Sequence, residues 1–266
     1  MPRVCILTDS TAQFTRTDFP GRERIFVLPL DLEPAAAQGN GQPRRLVPPV
    51  PQAFLRYYGL LSGEFDAVLT LTLSSHLNPA ADSARKAASL YSNHAAVQVI
   101  DSQTTSAGLG MLVEAAAGAA SAGASLAEVE GLVRTAIRRI YMLLCIPELA
   151  CLERLGLLDH TQALAGEVIG LMPVFTVEEG GLTPMGKART PRALFESFEE
   201  FMDEFTAPDR VALLRGTSQT TLRTRPLREF VQQRFAGASY SEHPLNPPLS
   251  ALFGAQAIGL VVMEPG

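Results

Sequence analysis

Four short runs of nearly continuous apolar, β-favouring residues mark the first hundred positions: Val4–Leu7, Ile25–Leu30, Ala67–Leu73 and Ala96–Ile100. Continuous rather than alternating hydrophobicity is the pattern of strands covered on both faces, so each is expected to be buried. The intervals are long enough for helices. Pro51–Leu61 carries Phe54, Leu55, Tyr58 and Leu61 at helical spacing. Pro79–Tyr91 has the Ala, Arg and Lys content of a helix, with Asn78 expected as its cap and Pro79 at its first helical position. Strands alternating with helices imply a parallel sheet with crossovers.

The pattern changes after that point. A strand around Arg139–Cys145 leads into a helix from Pro147. Val174–Val177 and Leu182–Pro184 read as a hairpin around Glu178–Gly181. Pro191–Phe205 is an amphipathic helix whose acids (Glu196, Glu199, Glu200, Asp203, Glu204) form a solvated face. Val211–Leu214 is a strand, Thr220–Arg234 a helix and Ala257–Met263 a late strand. Strands and helices are thus mixed in this half.

The turns at the strand ends carry the chemistry. The first strand ends in Thr8-Asp9-Ser10-Thr11, the third in Ser74-Ser75-His76-Leu77-Asn78, the fourth in Asp101-Ser102-Gln103-Thr104-Thr105-Ser106. In open α/β sheets the ligand crevice lies beyond the carboxyl ends of the strands. Hydroxyls together with free helix N-terminal N–H groups suit an anion or a carboxyl group. The plainer reading of each turn is helix capping.

Composition narrows the field. The chain has 266 residues, of which 47% are hydrophobic and 18% charged, so it has material for one large domain or two small ones and is too apolar for disorder. A net charge of −5 does not suit nucleic acid. No apolar run approaches the ~18 residues of a membrane span, and Glu114 interrupts the small apolar stretch Gly108–Ala120. The polar Thr8-Asp9-Ser10-Thr11 arrives too early for a signal peptide. Cys5, Cys145 and Cys151 are too few and scattered for a disulfide framework, and a cytoplasmic, thiol-reduced protein is expected. There is no Gly-x-Gly-x-x-Gly after the first strand, no Walker loop and no Gly-x-Ser-x-Gly elbow. His76, His94, His160 and His243 lack metal-ligand spacing. No catalytic residue, metal or cofactor is expected. Ser75 and His76 are sequence neighbours and do not form a nucleophile–base pair, so a small serine hydrolase using Ser75 would need a distant base.

The ordered set of segments resembles the DegV family, the fatty acid-binding proteins that act as substrate-carrying subunits of bacterial fatty acid kinase. Ile6-Leu7-Thr8-Asp9-Ser10-Thr11-Ala12 resembles the family's opening Val-Thr-Asp-Ser-Thr-Ala/Ser, and Val27-Leu28-Pro29-Leu30 its Val-Pro-Leu. Leu73-Ser74-Ser75-His76-Leu77 with Ser83-Ala84 is similar to Ser-Ser-x-Leu-Ser-Gly-Thr-x-x-Ser-Ala, and Val99-Ile100-Asp101-Ser102 to Val-Ile-Asp-Ser. Further matches are Glu148-Leu149 with Leu152-Glu153-Arg154-Leu155-Gly156, Ile169–Val174, and Glu179-Gly180-Gly181-Leu182 succeeded by Lys187-Ala188-Arg189-Thr190. The resemblance implies an α/β protein of two domains, residues 1–138 with a mainly parallel sheet flanked by helices and residues 139–266 as a second, mixed α/β domain, with a long-chain fatty acid or related lipid between them. Its head group would lie at the turns and would be presented to a separate fatty acid kinase subunit. An acyl chain would gain about 0.8 kcal/mol per buried CH₂.

The departures matter as much. The family's head-group Thr falls on Leu46, its Arg on Leu157 and its His on Gln256. Ser-Gly-Thr becomes Asn78-Pro79-Ala80, and the Lys before Pro173 becomes Met172. Ser74 and Ser75 remain. A buried carboxylate without a cation costs several kcal/mol or takes up a proton. Three expectations stay open: Arg154 or Arg189 reaches the head; the head is neutral and held by Ser74, Ser75 and Gln256; or the pocket is degenerate and the chain is a regulatory interaction protein. The ligand-binding candidates are Asp9, Ser10, Thr11, Ser74, Ser75, Asp101, Ser102, Arg154, Arg189 and Gln256. Arg210, Arg215, Arg223, Arg225, Arg228 and Arg234 would dock an acidic partner, approach ATP phosphates or lie on a solvated helix.

Overall fold

The computed structural model describes residues 3–34, 44–92, 95–217 and 224–266. His94, Arg223 and the start of the helix expected at Thr220 lie outside the described residues. In chain order the elements are β1 (Val4–Asp9), β2 (Ile25–Leu28), β3 (Leu32–Pro34), β4 (Arg44–Leu46), α1 (Pro51–Leu61), β5 (Ala67–Thr72), α2 (Ala80–Leu90), β6 (Ala96–Asp101), α3 (Ser106–Ser121) and α4 (Leu126–Ile137). They continue with β7 (Ile140–Cys145), α5 (Leu149–Arg154), α6 (His160–Val168), β8 (Met172–Glu178), β9 (Gly181–Ala188), α7 (Pro191–Asp203), β10 (Arg210–Arg215), α8 (Arg225–Arg234), β11 (Ser239–Pro244), α9 (Pro247–Phe253) and β12 (Ile258–Met263). The chain divides into two compact units, one of Met1–Glu33 with Leu46–Arg138, the other of Pro34–Arg45 with Arg139–Gly266. The division expected from sequence differs in keeping residues 34–45 with the first unit.

In the first unit a sheet of four parallel strands runs in the order β2-β1-β5-β6. The two central strands, β1 and β5, are buried along their whole length, as continuous hydrophobicity predicts. The edge strands β2 and β6 are only partly covered, which corrects the expectation that all four are buried. An edge strand has a neighbour on one side only, so a run of apolar residues does not guarantee cover.

Side-chain alternation places the helices. Thr70 on β5 shares a hydrogen bond with the Tyr58 hydroxyl of α1, which also donates to the Ala84 carbonyl of α2. Gln98 on β6 pairs in register with Leu69, on the opposite face, and donates to Glu130 of α4. Thus α1 and α2 cover one face, while α4 and its neighbour α3 cover the other. The link after β1 crosses α3 closely. A Cβ at Gly110 would strike the Gln13 carbonyl. Buried Glu114 accepts the Thr15 and Arg16 amides at 2.6 and 3.1 Å, which explains the charge inside the apolar stretch. At the start of α2, Pro79 occupies the cap position and no side chain caps the helix, so Asn78 does not serve as expected.

The second unit is a sheet of six strands in the order β11-β10-β12-β7-β8-β9, parallel only between β10 and β11. Leu194, Phe198, Phe201 and Met202 of α7 and Leu227 and Val231 of α8 pack on Leu143, Val211, Leu213, Leu260 and Val262 of the sheet. The acids of α7 face outward, with Glu199 half-buried and the others exposed. The β8–β9 hairpin turns at Glu179 and Gly180, both with positive φ (49° and 87°), the backbone that matches strand twist in a two-residue turn. Among the described residues, β3, β4, α4, α6, β11 and α9 have no counterpart in the hydrophobic pattern. The molecule is an α/β protein, as expected, with a parallel sheet in one unit and a mixed sheet in the other.

Candidate functional site at the carboxyl edge of the parallel sheet

The turns after β1, β5 and β6 meet at the carboxyl edge of the first sheet, and they are tied to one another. Asp9, fully buried, accepts the Thr11 amide (2.9 Å) and hydroxyl (2.6 Å) on Oδ1, and the Leu73 amide (2.7 Å) on Oδ2. Burial pushes its carboxyl pKa up from 3.8, against the pull of these donors. Ser10 ties the same turn to β2: its amide donates to Leu28 O (3.0 Å), and its Oγ accepts the Leu30 amide (2.9 Å).

The turns after β5 and β6 are joined in the same way. Asp101 accepts the Ser75 amide at 3.2 Å and the Gln103 amide at 3.0 Å. The Ser74 amide donates to Thr104 O (2.8 Å), and the Ser102 amide to Thr72 O (3.1 Å). Ser102 Oγ donates to Thr104 O. Gln103 and Ser106 both have φ of 54°, left-handed for residues with a Cβ. Such positions cost of order 1–3 kcal/mol and persist where surrounding bonds hold them.

Buried polar atoms with no partner among the described residues lie on both faces of this edge: the register puts Thr8 on the face of Leu71 and Thr72 on the opposite one. The hydroxyls of Thr8, Thr72, Thr104 and Thr105 and the side-chain oxygen of Asn78 make no hydrogen bond there, although none of these residues is more than 4% exposed. Leaving such a group unsatisfied costs about 1–3 kcal/mol. Thr105 stands at the cap position of α3 yet makes no capping bond. Neither α2 nor α3 has a side-chain cap, and at α2 the Ala80 amide donates to the Asn78 carbonyl (2.8 Å).

The predicted residues thus separate into two kinds. Asp9, Ser10, Thr11, Asp101, Ser102 and Ser74 are all present at the edge, and their hydrogen bonds brace the turns. The half-buried Ser75 is held through its amide, which leaves its hydroxyl free of partners among the described residues. Its neighbour His76 is exposed. The pattern of turns does not single out the unpartnered threonines. For Thr8 and Thr72 the signal is a threonine at a strand's last positions, while Thr104 and Thr105 carry no such signal.

In the second unit, Arg154 donates to Cys151 Sγ (2.9 Å) and to the Ala251 carbonyl (3.3 Å). Gln256 is exposed, and its amide is held by Glu148 (2.9 Å). Arg189 is exposed at the β9–α7 junction. The described arginines of the basic cluster are ion-paired: Arg210 with Asp209, Arg215 and Arg228 with Glu242, Arg225 with Glu229, and Arg234 with Asp203. Arg215, Arg225, Arg228 and Arg234 thus lie on an exposed, charge-balanced surface, while Arg210 is buried. Cys5 and Cys145 are buried, with thiol pKa values pushed up to about 12, so they are poor nucleophiles. Among the described residues, no group of three His, Cys, Asp or Glu could hold a metal ion, and no helix is long and apolar enough to cross a membrane.

The family model described as "Uncharacterised protein, DegV family" matches residues 38–265. The chain belongs to the DegV family. A DegV domain-containing protein of Staphylococcus aureus is 24% identical over 281 residues, covering 99% of this chain and all of the relative. Among solved structures, a DegV family protein from Thermus thermophilus described as fatty acid-binding has a TM-score of 0.81 and 24% identity, covering 99% of this chain and all of that one. The fatty acid kinase B3 protein of Streptococcus pneumoniae, loaded with linoleic acid, has a TM-score of 0.82 and 18% identity, covering 98% of this chain and 99% of that one. The DegV resemblance read from the order of motifs is borne out along nearly the whole chain.

Proposed function

We propose that this DegV protein binds a long-chain fatty acid or a related lipid and presents its head group to a separate kinase, without catalysing a reaction itself. The observation that carries this reading is the set of buried, unpartnered hydroxyls at the carboxyl edge of the parallel sheet. An open α/β sheet offers its ligand crevice there. The braces through Asp9, Ser10 and Asp101 hold the turns in place before a ligand arrives, which lowers the ordering cost of binding. Relatives of the same fold are described as binding fatty acids, one of them a fatty acid kinase protein.

The reading makes Ser75 a hydrogen-bonding group and not a nucleophile. Its hydroxyl has no imidazole beside it among the described residues. The test is a reconstitution with oleate, ATP and the cognate kinase, trapping acyl phosphate with hydroxylamine. Acyl hydroxamate is expected only when both proteins are present. Lipid binding without hydroxamate would remove the kinase from the account and leave lipid carriage. Turnover of generic esters, lost on Ser75→Ala, would instead establish the hydrolase.

A further inference from the structure

Building on the lipid-binding reading, we propose that Asp101 is the positioning residue for the head-group contact: its carboxylate fixes the Ser75 backbone and, through it, the Ser75 hydroxyl. The serines in the turns at this edge divide by what their hydroxyls do. Ser10 Oγ accepts the Leu30 amide, and Ser74 Oγ accepts the His76 amide. Ser102 Oγ donates to the Thr104 carbonyl, and Ser106 Oγ to Gln13 Oε1. These hydroxyls are occupied in holding the turns together. Ser75 differs: it is half-buried, hence reachable from solvent, and its hydroxyl has no partner among the described residues.

What Ser75 lacks at its hydroxyl it has at its amide. The Ser75 N–H points at both carboxylate oxygens of Asp101, with its nitrogen 3.3 Å from Oδ1 and 3.2 Å from Oδ2. Asp101 is the last residue of β6 and pairs in register with Thr72, so its side chain reaches past its strand partner to hold the turn after β5. The carboxylate is itself anchored. Its Oδ1 also accepts the Gln103 amide at 3.0 Å, where the backbone turns with a φ of 54°. A carboxylate offers acceptors on both oxygens, which is what two converging amides require. A contact group held by such a neighbour is in place before the ligand arrives, which lowers the ordering cost of binding. Asp101 thus acts on the lipid through Ser75.

The test is a double-mutant cycle in oleate affinity, read by isothermal titration on the delipidated full chain. Ser75→Ala is expected to weaken oleate binding about tenfold. Asp101→Asn keeps one acceptor oxygen, which can still serve Gln103, but turns an NH₂ group toward the Ser75 amide. It is expected to weaken binding about three- to fivefold. Removing a negative charge near an anionic head group would by itself tighten binding, so the sign separates positioning from charge. With Ser75→Ala already present, Asp101→Asn is expected to cause no further loss. An equal loss in both backgrounds, or no loss for Asp101→Asn alone, overturns the proposal. Unchanged affinity in Ser75→Ala overturns it too, because the contact then lies elsewhere, and lipid binding stands in each of these cases. No oleate binding by the wild-type chain overturns the lipid-binding reading itself.

Amide hydrogen exchange on the wild-type chain gives a second measurement that needs no variant to fold. The Ser75 amide is expected to be protected to the same degree with and without oleate. Rapid exchange in the lipid-free chain, with protection gained only on binding, would mean that the lipid orders the turn, and would overturn the proposal.

Discussion

Asp9 has no solvent and three donors, and its role is set by that arrangement. Asn in its place keeps the shape but turns an NH₂ group toward an amide N–H of Thr11 or Leu73. Asp9→Asn is expected to cost about 2 kcal/mol near pH 5, read from urea unfolding midpoints. The raised pKa also sets a pH dependence. A carboxyl that holds its proton more tightly when folded contributes stability below its ordinary value of 3.8, and that stability is lost as pH rises through the folded pKa. The wild-type chain should therefore lose stability across this window more steeply than Asp9→Asn. Parallel profiles would contradict the assignment. At this scale the sequence shows which residue types gather at the edge but not the partner of each oxygen. Asp9, Ser10 and Asp101 look like ligand contacts in a string of letters, and their braces become visible only when Leu73, Leu30 and Ser75 are placed beside them.

Elements are legible where hydrophobic runs coincide with long strands or helices, as in β1, β5, α1 and α7. Those without such a run are of a different kind. β11 reads Ser-Tyr-Ser-Glu-His-Pro, and α9 is a short helix opened by Asn246 and two prolines. Yet α4 carries a complete capping box, Ser125 with Glu128, which is readable without any apolar run. Ser125→Ala is expected to cost about 1 kcal/mol by chemical denaturation, and a cost near zero would mean that tertiary packing alone holds α4. The fit of α3 against the preceding turn is stricter. Gly110→Ala drives a methyl into the Gln13 carbonyl, and a loss of about 1–3 kcal/mol is expected in the same assay. Because Gln13 also bonds Ser106 at the start of α3, this variant should weaken lipid binding as well.

For the whole molecule, net charge −5 and an ion-paired arginine surface on the second unit leave little that would draw nucleic acid. The fold supplies a braced, hydroxyl-rich sheet edge, and the family supplies relatives that hold fatty acids on the same architecture. The proposed lipid carriage comes down to one physical condition: the buried hydroxyls find their partners in a lipid head group. Native mass spectrometry of the purified chain, before and after incubation with oleic acid and oleyl alcohol, tests it most directly. A lipid-sized adduct is predicted, either carried through purification or gained on incubation, and it should be lost on denaturation. A clean apoprotein mass that neither lipid changes would contradict that condition.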